Sequence, residues 1–476
     1  MDQLLSDLSQ ALGGRIYLPD DDKYNESRNS YFSAQERGIK PACVLLPQTS
    51  GEVATAVSLL AEANKRAGIG SFKFAVRSGG HACFAGSANT AGGITIDLRG
   101  LSSVNVAEDS TTVTAGSGVS WGELYRTLEP LGLAVAGGRH SQVGVGGLTL
   151  GGGMSHFSGQ VGLVCDTVLE YEVVLPSGDV IRITEADIEH ADLFRALRGG
   201  SNNFGIVTRF IFRAFRQGRL WAGMLLHPLE TRTEQLQAFY DFCATPSYDP
   251  HASLMQTFGL SAERGTGCVN SIVYTKAETE PAVYKPFTAM QPVYMNTLRE
   301  LSLLELTREQ DALNENGLCQ VMISTTYYLD LPLLTRTVDL YQASCDSVRN
   351  YAGIVWSLTF HPIVPSTISK STFLQSAIPT LSSPPKPIII AQITGTWKDG
   401  KDTAAVEVTA VQLISDIDAA AKEEGLQTGY VYLNYAHSGQ KVFGEGERLQ
   451  QLRDVSKRYD PDGIFQHCVP GGFKLF

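Results

Sequence analysis

The chain has 476 residues, a formal charge of −11 and 43% hydrophobic residues. A chain of this length buries most of its apolar surface without disulfide or metal staples, and its acidic balance excludes a broad nucleic-acid-binding face, which needs clustered Lys and Arg. Glycine is in excess: 47 residues, about 10% against a usual value of about 7%, with no collagen-like period to explain it.

The N-terminus, Met1-Asp2-Gln3-Leu4-Leu5, carries an acid where a secretory signal has basic residues, so no signal peptide is expected. No apolar run is long enough to span a bilayer. The eight cysteines are scattered without a CxxC pair, which argues against a disulfide framework and against a metal site. The expectation is a cytoplasmic protein, with no membrane and no nucleic-acid partner.

In chain order, Ala42-Cys43-Val44-Leu45-Leu46 reads as a buried strand. A helix follows, with Ser50 as N-cap, Glu52 in its first turn and Val53, Val57 and Leu60 on its apolar face. Further strands are expected at Phe74–Val76, Gly92–Leu98 and Thr111–Gly116, and a helix starts at Ser120-Trp121. Glu170–Leu175, the turn Pro176-Ser177-Gly178-Asp179 and Val180–Ile183 read as a hairpin. Between about Ala214 and Gln427, strands (Ser271–Tyr274, Ile354–Phe360, Ile388–Ile393) alternate with long helices (Glu234–Cys243, Ala404–Glu423). That pattern predicts a separate α+β unit with one broad antiparallel sheet. Tyr430 to Tyr435 alternates like one more strand, with Tyr430, Tyr432 and Asn434 on one face and Tyr435 on the other. A helix over Glu447–Arg458 closes the chain.

The glycines concentrate in three clusters. The densest runs from Ala136 to Gly162, with 10 glycines in 27 residues, and between Glu129 and Asp166 its only full charge is Arg139. Uncharged backbone of this kind can approach a ligand closely and offer bare N–H groups to phosphate oxygens. It is neither a GxGxxG fingerprint, since Thr149 stands where a glycine is needed, nor a P-loop, since no GK[ST] follows. A turn-rich loop is the plainer alternative. The second cluster, Val76-Arg77-Ser78-Gly79-Gly80-His81, follows a strand directly; the third is Arg198-Gly199-Gly200-Ser201-Asn202-Asn203-Phe204-Gly205-Ile206.

These clusters, in this order, resemble the berberine-bridge-enzyme-like FAD-linked oxidoreductases of the vanillyl-alcohol-oxidase superfamily. The resemblance covers about Pro41 to Phe212 and resumes at Tyr432-Leu433-Asn434-Tyr435 and Tyr459-Asp460-Pro461-Asp462-Gly463. It implies an α+β fold: a PCMH-type FAD-binding domain in two parts, residues 1–214 (core about 40–213) and 428–476, with a substrate-binding α+β domain, 215–427, as a roof. By the same resemblance Arg77, Ser78, Gly79 and Gly80 wrap the FAD pyrophosphate through backbone amides, and His81 bonds covalently to the flavin. Val143, Gly144, Gly146, Gly147, Gly152 and Gly153 form a second strip of cofactor contacts, Ile206 contributes a backbone contact, and Asn434 belongs to the cofactor set. Many relatives attach the flavin a second time through a cysteine where this chain has His140, so a single covalent bond is expected.

Oxidation by a flavin needs hydride delivery and, usually, a base for the departing proton. The resemblance makes Tyr435 the first candidate for that base, though a phenol needs a neighbouring cation or hydrogen bond to act near neutral pH. An aromatic packing between domains is the alternative. His140 and His156 flank the glycine belt, His140 being the second catalytic candidate and structural roles remaining open for both. Tyr327, Tyr328, Trp356, Phe360 and His361 fall in roof strands. In relatives a valine at the position of Val143 accompanies reactivity with oxygen. The expectation is an FAD-dependent oxidase of a small to medium organic substrate in specialised metabolism, oxidising an alcohol, an amine or a carbon–carbon bond and releasing hydrogen peroxide. The alternative is a non-redox isomerase or cyclase on the same FAD-bearing scaffold. Substrate identity and oligomeric state are left open.

Overall fold

The first sheet has the spatial order Ile16–Tyr17, Cys43–Leu45, Ile94–Asp97, Phe74–Arg77, in a computed structural model that describes residues 1–476. Its last three strands are parallel, and Cys43–Leu45 and Ile94–Asp97 are buried without alternation, as strands covered on both faces must be. The expected helix is Ser50–Ala67, burying Val53, Val57 and Leu60. Its N-cap, however, is Thr49 rather than Ser50. The Thr49 hydroxyl accepts from the Glu52 N–H at 3.2 Å, which frees the Ser50 hydroxyl to donate to Glu172 at 2.5 Å.

Arg77, at the end of its strand, anchors this sheet to the N-terminal segment. Its guanidinium is fully buried, donates to the Ser27 carbonyl at 2.5 Å and the Ser30 hydroxyl at 2.9 Å, and lies 3.8 Å from the Tyr31 ring centroid. Asp97 stands 3.6 Å from it and 2.7 Å from Arg99. Burial by itself would raise the Asp97 carboxyl, but the two guanidiniums outweigh burial and hold it below the usual carboxylate range.

The second sheet is antiparallel throughout, in the order Val104–Val106, Thr112–Gly116, Ile206–Arg213, Val168–Val174, Val180–Thr184. Its last two strands are the expected hairpin, closed at Gly178, whose φ of +87° only glycine adopts without strain. Ser120 and Glu123 cap helix Trp121–Leu128 reciprocally. The third sheet is the broad antiparallel one. Leu220–His227, Gly265–Tyr274, Ala252–Ser261, Val355–Ile363, Ile388–Trp397 and Cys319–Tyr328 lie side by side, with Met295–Asn296 and Arg299–Leu301 pairing at the Leu220–His227 edge. Leu254 and Phe258 pack with side chains of helices Arg232–Ala244, Leu331–Val348 and Thr403–Glu423 in one core. Alternation turns Met255 and Thr257 to the opposite, half-buried face.

The Tyr430–Tyr435 strand does not form. Leu433–Tyr435 is a single 3-10 turn in which the Tyr435 N–H donates to the Tyr432 carbonyl at 3.0 Å. Side-chain bonding to the glycine belt replaces ladder pairing. The Met154 N–H donates to the Tyr432 hydroxyl at 2.8 Å, and the Asn434 amide donates to the Leu148 carbonyl at 2.9 Å. A turn of three residues brings Tyr432 and Tyr435 to one side, edge to face at 4.8 Å, where alternation would have separated them. After helix Glu447–Tyr459, Ile464, Phe465, Cys468 and Val469 enter the same core as Phe74 and Ile94. No helix is long and apolar enough to cross a membrane.

Replacing Asp97 with alanine leaves Arg77 buried without a counter-charge and is expected to cost about 3–5 kcal/mol, read as a lower denaturant midpoint. The native carboxyl is held low, so this stabilisation is complete above the unfolded-state value of about 3.9 and is lost as pH falls through the folded value. The gap between wild type and variant therefore narrows in acid; a gap independent of pH would contradict the ion-pair assignment.

Candidate functional site

Beyond Arg77 the chain presses directly against the glycine belt. A Cβ on Gly79 would lie 2.4 Å from the Gly144 nitrogen, and one on Gly144 would lie 2.3 Å from the Gly79 nitrogen. Glycine at both positions is what lets the two backbones touch. The Ser78 hydroxyl donates to the Ser117 carbonyl at 2.6 Å and accepts from the Gly146 N–H at 3.2 Å, binding the two strips together. Gly147 is different: nothing lies within 4 Å of where its Cβ would stand, so the strip is bare there.

The other expected cofactor residues are placed as follows. The Arg77 side chain is committed to Ser27, Ser30 and Asp97, leaving only its backbone near the strip. A Cβ on Gly80 would meet the Arg77 guanidinium at 2.7 Å. Val143 is half-buried, its carbonyl accepting from the Trp121 N–H at 3.0 Å. Gly152 and Gly153 have positive φ and pack against Phe373 and Val164, so they shape the turn behind helix Val145–Leu150. Ile206 is buried and opens strand Ile206–Arg213 opposite Val174. Asn434 fills the space a Cβ on Gly151 would need.

His81 stacks on Phe32, ring centroids 4.0 Å apart and planes 11° apart. Burial, with help from the charge of His140 and opposed by Asp311, pushes its imidazole down to about 4. The ring is therefore neutral near pH 7, with an unprotonated nitrogen. His140 points to Asp311, Nδ1 to carboxylate 3.4 Å, and the Ser141 hydroxyl donates to the same carboxylate. Asp311 ends helix Leu303–Asp311; burial would raise it, and these two partners bring it below its ordinary value.

Tyr435 shares no hydrogen bond with His140. Its hydroxyl accepts a hydrogen bond from Arg139. The same guanidinium reaches His361 Nδ1 at 3.3 Å and the Met255 sulfur at 2.9 Å, and His361 Nε2 lies 2.6 Å from Gln392 Oε1. Met255, His361 and Gln392 come from three adjacent roof strands. Arg139 thus joins the glycine belt, the roof and the C-terminal return. The sequence reading required a neighbouring cation or a hydrogen bond for Tyr435 to act as a base, named neither, and passed over Met255 and Gln392. The one usable signal was Arg139 itself, the lone charge in a long uncharged stretch. His156 is 2% exposed with neither ring nitrogen hydrogen-bonded, and burial, then Arg139 and His140, push it down to about 3.

A family model described as an FAD binding domain matches residues 41–184. The FAD-dependent monooxygenase FUP4 of Fusarium proliferatum is 32% identical over 94% of this chain and 88% of its own length. The oligopeptidase PhomG' of Diaporthe leptostromiformis is 35% identical over 98% of this chain, which spans only 37% of that protein. Among solved structures, a variant of berberine bridge enzyme in complex with (S)-reticuline superposes with a TM-score of 0.77 over 99% of both chains, at 15% identity. The chain belongs to the same family of FAD-linked oxidoreductases as FUP4, carries an FAD binding domain and shares the fold of berberine bridge enzyme. It is an FAD-linked oxidoreductase.

The residues present fit FAD. Two glycine backbones meet where any Cβ would obstruct, one glycine strip is open to the groove, and a neutral, stacked histidine stands beside it. Gly79→Ala is expected to force the strips apart at a cost of about 1–3 kcal/mol. It should yield protein with a lower melting temperature and little flavin absorption. Full flavin content in that variant would contradict the cradle.

Proposed function

We propose that the chain is an FAD-dependent oxidase of a small to medium organic substrate, oxidising an alcohol, an amine or a carbon–carbon bond, with molecular oxygen as acceptor and hydrogen peroxide as product. The observation that carries this reading is the Arg139–Tyr435 hydrogen bond: a phenol oxygen held by a cation that comes from the glycine belt. Residues 1–214 and 428–476 would form the FAD-binding domain and 215–427 the substrate-binding domain.

FAD, once bound, supplies a two-electron acceptor. The backbone of Arg77, Ser78, Gly79 and Gly80, the strip at Val143, Gly144, Gly146 and Gly147, the turn at Gly152 and Gly153, and Ile206 and Asn434 would hold it. His81, neutral and fixed by Phe32, would carry the single covalent link. Tyr435 would take the substrate proton on its phenol oxygen, and Arg139 would hold that oxygen in place with a charge-assisted hydrogen bond. His140, braced by Asp311, would act from the His81 side of the groove. Met255, His361 and Gln392 would close the groove against water.

Relatives named monooxygenases differ in where the oxygen goes, and that is measurable. Turnover under isotopically labelled oxygen is expected to release one peroxide per substrate oxidised with no label in the product. Label in the product would identify a monooxygenase, and product without oxygen uptake an isomerase or cyclase. Tyr435→Phe is expected to slow anaerobic flavin bleaching by about 10²–10⁴-fold with flavin content unchanged; unchanged bleaching would remove Tyr435 as the base. Acid denaturation should leave all flavin with the wild-type polypeptide and release all of it from His81→Ala. Flavin in the wild-type supernatant would exclude the covalent link.

A further inference from the structure

Arg139 carries a buried charge that no carboxylate of the protein neutralises. It is 8% exposed, and its partners, the Tyr435 hydroxyl, His361 and Met255, include no carboxylate. The other two arginines buried as deeply both have one: Asp97 lies 3.6 Å from Arg77 and Glu185 lies 3.2 Å from Arg198. His361 does not supply the missing charge. Burial and Arg139 hold its imidazole well below the usual range, and a hydrogen on Nε2 donating to Gln392 Oε1 leaves Nδ1 free to accept from Arg139. A guanidinium has five N–H donors, so these contacts leave some unused.

His156 is the second unmet demand. It lies on the same glycine belt as Arg139, is 2% exposed, and its donor and acceptor both lack a partner. Buried polar atoms are rarely left so. A buried cation without a carboxylate and an unpaired imidazole on the same glycine belt call for a ligand atom that is negative and accepts hydrogen bonds.

We propose that Arg139 and His156 together recognise an anionic oxygen on the substrate, a carboxylate or an ionised phenol or enol, with Arg139 supplying the counter-charge and His156 a hydrogen bond. This rests on the reading that substrate enters between the glycine strips and the roof. An anion seated there is placed beside Tyr435, so one contact fixes both affinity and the orientation of the atom to be oxidised. A neutral analogue would leave the cation buried and unpaired, which makes the pair a device for selectivity.

Calorimetric titration of the holoenzyme with benzoate, with para-nitrophenolate at a pH where it is ionised, and with neutral benzamide tests this. At least one anion is expected to bind about tenfold or more tightly than benzamide, and the tighter of the two separates carboxylate from phenolate chemistry. Arg139→Gln should abolish the preference, Arg139→Lys should keep most of it, and His156→Phe should weaken the preferred anion without strengthening benzamide. Equal binding of all three probes, failure of both anions to bind, or a preference surviving in Arg139→Gln would overturn the proposal. Flavin absorption followed in the same titrations separates the two readings. An Arg139-dependent preference with an unperturbed flavin would keep the recognition site and remove it from the redox centre.

Discussion

The close contact of Gly79 with Gly144 is the constraint on which the groove is built. The loop that follows strand Phe74–Arg77 meets the glycine belt backbone to backbone, with room for no side chain at either position. The same contact sets the Ser78 hydroxyl between Ser117 and Gly146 and turns His81 onto Phe32. A wall made of main chain offers N–H groups in a fixed array and does not reorganise when a ligand arrives. The Arg77–Asp97–Arg99 cluster lies just behind it, anchoring one strip to the N-terminal segment by buried charge.

The opposite wall is made of side chains. Met255, His361 and Gln392 descend from neighbouring strands of the broad sheet, and Tyr435 rises from a turn in the C-terminal return. Arg139 leaves the glycine belt to meet them, so a single guanidinium ties together segments more than a hundred residues apart in sequence. A rigid main-chain wall facing a variable side-chain wall lets one cofactor scaffold serve many substrates, because only the second needs to change.

Elements held by local signals were legible in the sequence. The capping box at Ser120 and Glu123, the hairpin at Pro176–Asp179 and the long apolar-faced helix Thr403–Glu423 each carry their own instructions. The Thr49 cap was missed by one residue because serine is the better local cap of the two, while in the fold the Ser50 hydroxyl is taken by Glu172. Tyr430–Tyr435 alternates as a strand does, yet the Tyr432 hydroxyl and the Asn434 amide are captured by Met154 and Leu148 and the backbone turns instead. Periodicity reports which face could be buried and is silent about side chains held from far away. For the same reason Arg139 was visible as an odd charge while its partners were not: they lie on strands that only the folded sheet brings together.

The structure of the holoenzyme tests the central claim most directly. The flavin ring is expected in the groove with one edge at His81, one face toward the strip at Gly144–Gly147 and the other toward Arg139 and Tyr435. A ring lying elsewhere, or one with Arg139 and Tyr435 out of reach of its open face, would contradict the account.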